Sequence, residues 1–314
     1  FFEHNDVIKL HEELLHAIGR TWMDLHAMPD EWWLSNDFIS FKNEIVSIIK
    51  RDFPDPKLIG VKDPRLCRLL PLWLDAFKDL ELQAKIILCI RHPFEVANSL
   101  MVRDHFDFHT SLILWFWHVL EAEEFSRNIE RSVLTYDELL ADWQGASSRV
   151  AKELNILWPM TLHECSDNVD SFLDKKLNHA SSHSAPDSSR LAKSALELYF
   201  SLQKEKSINA ELFASIKKEF LIEIKRISPY IDVLNRCQVS QSEAAELERA
   251  LFAEKNNSKQ QVEYRDKLVS ELDSQLADVQ NNTKEQIEYR DTLVSELNVQ
   301  LDNERSNAKE QIEY

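Results

Sequence analysis

AKIILCIRHPFEVANS, residues 84–99, is the stretch on which the fold turns. Its first seven residues are apolar through their middle, the pattern of a strand buried on both faces of a parallel sheet. Arg91 ends the run, and His92-Pro93 follows. Proline fits the first position of a helix, because the N–H it lacks would have no partner there. The same order recurs on either side: KLIGVK (57–62) leads into Asp63-Pro64, and SVLTY (132–136) into Asp137. Asp63 and Asp137 are of the type that caps a helix start. Strand, short turn and helix, three times over, predict an α/β fold with a parallel sheet flanked by helices.

Around this frame the periodicity is helical. An amphipathic pattern covers 5–18, and 112–125 carries Leu114, Trp115, Val119 and Leu120 at helical spacing, a core face rather than an aromatic binding box. Residues 179–189 contain SSHSAPDSS and read as a polar loop. Two more helices are predicted over 190–203 and 210–227, the second closed by Pro229. Seven of the eight tryptophans precede residue 144, and beyond about residue 236 the apolar residues thin to a stripe. The expected organisation is an α/β domain over 1–188, its C-terminal helices over 189–236, and a coiled coil over 237–314.

The tail repeats. Residues 256–280 (NNSKQQVEYRDKLVSELDSQLADVQ) match 281–305 (NNTKEQIEYRDTLVSELNVQLDNER) at fifteen positions, and a third copy starts at Ser306. The stripe Val262, Arg265, Val269, Leu272, Leu276, Val279, Thr283, Ile287 advances in steps of three and four, with one extra step of four per repeat. A period of 25 residues over seven turns is about 3.57 per turn, between a left-handed supercoil and a straight helix. This predicts a weakly wound coil that joins copies of the chain, with a lone solvated helix as the alternative.

A net charge of -17 and the lack of a basic block argue against a nucleic-acid surface. Cys67, Cys89, Cys165 and Cys237 have no paired spacing, so neither a zinc site nor a disulfide framework is expected, and a reducing, cytoplasmic setting is. The longest apolar run, 112–120, is too short to span a bilayer. Phe1 leads straight into a helix and Tyr314 falls within a repeat, so the chain reads as an internal piece of a longer protein.

In an open α/β sheet, ligands sit at the carboxyl ends of the strands, where helix N-termini present unpaired N–H groups. Lys62 and Arg91 each end a predicted strand just before an X-Pro helix start, so two cations and two helix ends make an anion site. Ser99 lies about 9 Å along the helix that opens at Pro93, within reach of an arginine, so Arg91 and Ser99 can grip one phosphate. A salt bridge from Arg91 to Glu95, with Ser99 merely solvated, is the competing reading.

RHPFEVANS, with Arg91 and Ser99 eight apart on a strand-to-helix junction, resembles the 3′-phosphate motif of sulfotransferases that use 3′-phosphoadenosine 5′-phosphosulfate, PAPS. GVKDPRLCRLLPLW, VLTYDELLADW, FLDKKLNH and FFEHNDVIKLHEELL resemble further segments of that superfamily in order, over roughly residues 1–185. The resemblance implies a P-loop-NTPase-like sheet whose first strand and 5′-phosphosulfate loop precede Phe1. It implies that Arg91 and Ser99 hold the 3′-phosphate, that Lys62 stabilises charge near the transferring group, and that no metal is needed. Glu3, next to where that loop would end, is the first choice of base, with His4 and Asp63 as weaker ones. Arg65 would reach the nucleotide or pair with a neighbouring acid. The acceptor is a hydroxyl, with a carbohydrate as one candidate: Trp22, Trp32 and Trp33 either offer a sugar a flat face or pack the core. The three glycines, Gly19, Gly60 and Gly145, form no phosphate loop here. Two other functions fit less of the sequence: a P-loop kinase, which would need a GxxxxGK[ST] loop and a magnesium-binding acid, and a noncatalytic module that works through its coil.

Overall fold

Residues 3–54, 58–173 and 189–312 are described by the computed structural model. The chain divides into two units, Phe1–Glu246 and Leu247–Tyr314. The first is mostly helical and contains a two-stranded parallel sheet. Its elements run α1 (Asn5–Ala17), α2 (Ile39–Asp52), α3 (Leu66–Asp79), β1 (Ile86–Ile90), α4 (Pro93–Asp104), α5 (Phe108–Ser126), β2 (Arg131–Thr135), α6 (Tyr136–Ala141), α7 (Trp143–Glu153), α8 (Ser166–Phe172), α9 (Arg190–Glu205) and α10 (Ala210–Ile227). A short turn, Ser228–Tyr230, holds Pro229 and separates α10 from α11 (Ile231–Ile312), which continues into the second unit.

Two apolar cores hold the first unit. In one, Val7, Leu10 and Leu14 of α1 meet Ile45, Ile48 and Ile49 of α2 and Leu69, Leu72 and Trp73 of α3. The other gathers Leu88 and Ile90 of β1, Val133 of β2 and the buried faces of α4, α5, α9 and α10. At its centre α5 is buried nearly all round, because Leu112 to Leu120 is apolar on every face but one. Phe116 stacks on Phe220 of α10 at 4.9 Å, and Trp117 meets the same ring edge-on at 4.8 Å. Each such side chain contributes about 1.5–3 kcal/mol by leaving water.

β1 and β2 pair in parallel, Ile86 opposite Arg131 through Ile90 opposite Thr135. The crossover between them is α4 and α5, as a parallel connection requires. On β1 the side chains alternate: Leu88 and Ile90 are buried, while Ile87 and Cys89 are exposed. β1 pairs only with β2, so among the described residues its other edge carries no strand.

Several local expectations need correction. The strand expected over 57–62 does not form in 58–62 (Lys57 is outside the described residues), although Ile59 and Val61 pack on the first core. An apolar run becomes a strand only when a neighbour pairs with its backbone, and neither β1 nor β2 does. The third strand ends at Thr135, with Tyr136 already helical. Thr135, not Asp137, caps α6: its Oγ1 accepts from the Glu138 N–H at 3.2 Å, and Asp137 instead accepts from the Tyr199 hydroxyl at 3.0 Å. After Asp63-Pro64 the chain makes one tight turn, with Asp63 Oδ1 accepting from the Arg65 N–H at 2.7 Å, and α3 begins at Leu66. The polar loop expected over 179–189 lies outside the described residues except for Ser189, whose side chain caps α9.

The first turns of α11 belong to the first unit. Asn235 accepts from the Leu25 N–H at 3.0 Å and donates to Asp24, and Gln238, Ser242 and Ala245 are buried. From Leu247 onward every described side chain of the helix is exposed. No helix among the described residues is long and apolar enough to cross a membrane.

Candidate functional site

The carboxyl ends of the two strands sit side by side, and their first following residues meet. The Arg91 guanidinium lies over the ring of Tyr136 at 4.5 Å, a cation against the electron-rich face of an aromatic ring. Its Nε donates to Glu95 Oε2 at 3.0 Å, one turn into α4, where the Glu95 side chain is 1% exposed. Trp115 Nε1 donates to the Arg91 carbonyl at 3.1 Å and fixes the strand end from the α5 side. The arginine is thus held in place by three elements.

His92 caps α4. Its Nδ1 accepts from the Phe94 N–H at 3.3 Å, Pro93 takes the first helical position as the sequence predicts, and the imidazole packs on Phe94, Tyr199 and Phe200. Ser99 is on the same helix, half-buried, with no side-chain partner among the described residues. Arg91 and Ser99 therefore share one strand-to-helix unit, and the Glu95 ion pair is present as well.

Lys62 and Glu3 form a separate pair through Lys62 Nζ and Glu3 Oε1. That bond holds the Glu3 carboxyl below its ordinary range, so Glu3 is ionised at neutral pH and is a weaker base than a free glutamate. His4 faces Asp52 at 3.1 Å. His4, Asp6 and Asp52 each bring a ligand atom within 4.8 Å of the others, but Arg51 bonds to both aspartates, so a cation already sits among these acids.

Asp63 serves the fold. Its side chain is fully buried; burial raises its carboxyl, but the His11 imidazole, the Arg65 N–H and the Arg65 charge outweigh this and leave it lowered. Trp73 Nε1 donates to His11 Nε2 at 2.7 Å, which places the His11 proton on Nδ1, facing Asp63 at 3.5 Å. Arg65 joins Asp63 to Glu12 of α1. The tryptophans also pack: Trp32 is buried against Trp33 and Phe38, and Trp22 stacks on Phe106 beneath Arg103.

Gly19 closes α1 at φ +73, a conformation that favours glycine, and donates to His16. Gly145 lies in the first turn of α7, where a Cβ would collide with the capping Asp142 carboxylate at 2.2 Å. Both answer to helix ends rather than to an anion.

In sequence Tyr136 looks like the end of a strand, and nothing local to it indicates its place beneath Arg91. Each apolar run delivers its following residue to the same sheet end, and that was the available signal. Compared with known proteins, the chain matches no family model, no curated protein and no solved structure.

Proposed function

We propose that the first unit is the nucleotide-binding part of a PAPS-dependent sulfotransferase of P-loop-like fold, acting in the cytoplasm on an acceptor hydroxyl, a carbohydrate among the candidates. One observation carries the reading. Arg91 is held at the carboxyl end of a parallel strand, at the N-terminus of α4 and over Tyr136, where such folds bind anions. In this reading Arg91 and Ser99 hold the 3′-phosphate. Lys62 stabilises charge on the group in transfer, and Glu3, once parted from Lys62, takes the acceptor proton. The sulfuryl group passes from PAPS to the hydroxyl oxygen, and adenosine 3′,5′-bisphosphate leaves. Among the described residues the second edge of β1 carries no strand and Ile87 and Cys89 are exposed, which suits a larger parallel sheet of the P-loop-like kind, since parallel strands are ordinarily covered on both faces.

The test is calorimetric binding of adenosine 3′,5′-bisphosphate and adenosine 5′-monophosphate to the chain and to its Arg91→Ala variant. The variant removes the charge facing the buried Glu95, so any general loss of fold weakens both ligands, and only the ratio between them reads the 3′-phosphate. That ratio is expected to fall roughly tenfold to 150-fold, equivalent to about 1.5–3 kcal/mol, the worth of a charge-assisted bond. Equal losses for the two nucleotides sink the proposal.

A further inference from the structure

We infer that the second unit is a parallel, in-register, two-stranded coiled coil whose partner is a second copy of this chain, held in register by an Arg-Asp step repeated every 25 residues. From Leu247 on, every described side chain of α11 is exposed, yet Val262, Val269, Leu272, Leu276, Val279 and Ile287 form one apolar stripe, widened by Leu268 and Leu293. A helix exposed all round that carries such a stripe lacks its partner. The stripe steps by three and four, the spacing at which two helices interlock side chains along a common seam.

The apolar residues alone do not set the number of strands, since Val262, Val269 and Ile287 share their seam position with Leu276 and Thr283, and Leu272 shares the alternate one with Val279. The arginines at that alternate position favour two strands, because a two-stranded seam leaves a cation closest to water. Arg265 occupies the seam too, and Arg290 repeats it, each followed at once by an aspartate. On the single helix Arg265 lies 3.6 Å from Asp266, and Arg290 lies 2.8 Å from Asp291. All four side chains stay largely exposed to solvent, so these pairs within one helix are weakly held.

Pairing a second copy in parallel gives the arginines a better partner. A side chain at this seam position enters a hole formed by four residues of the facing helix, and those residues include the equivalent arginine and the aspartate after it. Arg265 of each copy then meets Asp266 of the other, and Arg290 meets Asp291, so charges cross the seam in both directions at both repeats. The aspartates also offset the repulsion between facing arginines. Sliding one copy by 25 residues keeps one such layer and strips the partner from a whole repeat. An antiparallel alignment that keeps both repeats overlapped sets each arginine against an apolar layer, away from the aspartates. Only the in-register parallel arrangement satisfies both.

The test uses the full chain. Sedimentation equilibrium at micromolar concentration is expected to give a dimer. After oxidation, a Leu272→Cys variant is expected to yield a disulfide-linked peptide that joins position 272 of one copy to position 272 of the other, with the unaltered chain as the control for Cys237 on the same helix. Asp266→Arg with Asp291→Arg should weaken the dimer on the order of tenfold to a hundredfold. Tryptophan fluorescence should stay unchanged, because all eight tryptophans precede the second unit. A helical monomer or a trimer overturns the inference. So does a dimer that gives no link between the two 272 positions, or one indifferent to the double charge reversal.

Discussion

Replacing Arg68 by methionine should destabilise the first unit strongly at neutral pH and much less at pH 5. Arg68 is fully buried on α3. Its Nε donates to Glu121 Oε2 of α5 at 2.8 Å, Nη1 to the Asp24 carbonyl at 3.1 Å and Nη2 to the His26 carbonyl at 2.7 Å. The same loop meets Asn235 of α11, so one guanidinium ties α3, α5 and the loop that receives the C-terminal helix. Methionine fills much of the volume but leaves the Glu121 carboxylate, 8% exposed, without its cation. Losing one member of a buried pair costs about 3–5 kcal/mol. For a unit of this size that is roughly 6–20 °C in Tm.

The pH dependence follows from the carboxyl. Burial raises Glu121 above its ordinary value, and Arg68 only partly pulls it back, so without Arg68 it rises further. A raised carboxyl contributes most below its unfolded value and loses that contribution as the pH climbs through its folded value. The penalty of Arg68→Met should therefore grow from pH 5 to pH 7.5. Urea unfolding followed by tryptophan fluorescence reads it directly, and Arg68→Met with Glu121→Leu should recover most of the loss. A penalty under about 1 kcal/mol, or one that does not vary with pH, would refute the account of this pair.

Burial and the neighbouring Arg68 charge push the His118 imidazole down to about 4, so it folds as the neutral form. The stability it contributes is present above about pH 6.5 and is lost as the pH falls toward 4, and His118→Gln should flatten that acid limb by at most about 3 kcal/mol in unfolding titrations. Burial also pushes the Cys67 thiol up to about 12, whereas Cys237 is exposed on α11. Iodoacetamide at pH 8, followed by peptide mass mapping, should modify Cys237 well before the half-buried Cys67. Labelling of the two at equal rates would count against the raised Cys67 thiol.

What the sequence reveals here depends on how far apart the cause and its effect lie along the chain. Runs 84–90 and 132–136 are legible as strands, and Pro93 as a helix start, because each follows from local composition and backbone geometry. The run 57–62 carries the same pattern, yet 58–62 is not a strand, because pairing depends on a neighbour that the run itself does not specify. At the start of α6 two capable caps stand two residues apart, and the choice of Thr135 is tied to Asp137 being engaged by Tyr199, 62 residues away. The site divides in the same way. Glu95 as a partner of Arg91 is an i to i+4 relation and can be read directly, whereas Tyr136 beneath Arg91 requires both strands to end at one level.

The buried pair of Arg68 and Glu121 is the hardest to foresee, since LCRLLPLW shows one cation on an apolar helix and gives no sign that its partner is 53 residues on. The repeat in α11 lies at the other extreme. Its period is visible in every copy, and among the described residues nothing covers the stripe that each copy presents. A long-range contact within one chain hides from a local reading because its two halves need not resemble each other. In the proposed dimer the contact repeats the same residues on both sides, and so Arg265-Asp266 and Arg290-Asp291 would state in one sequence both halves of that interface.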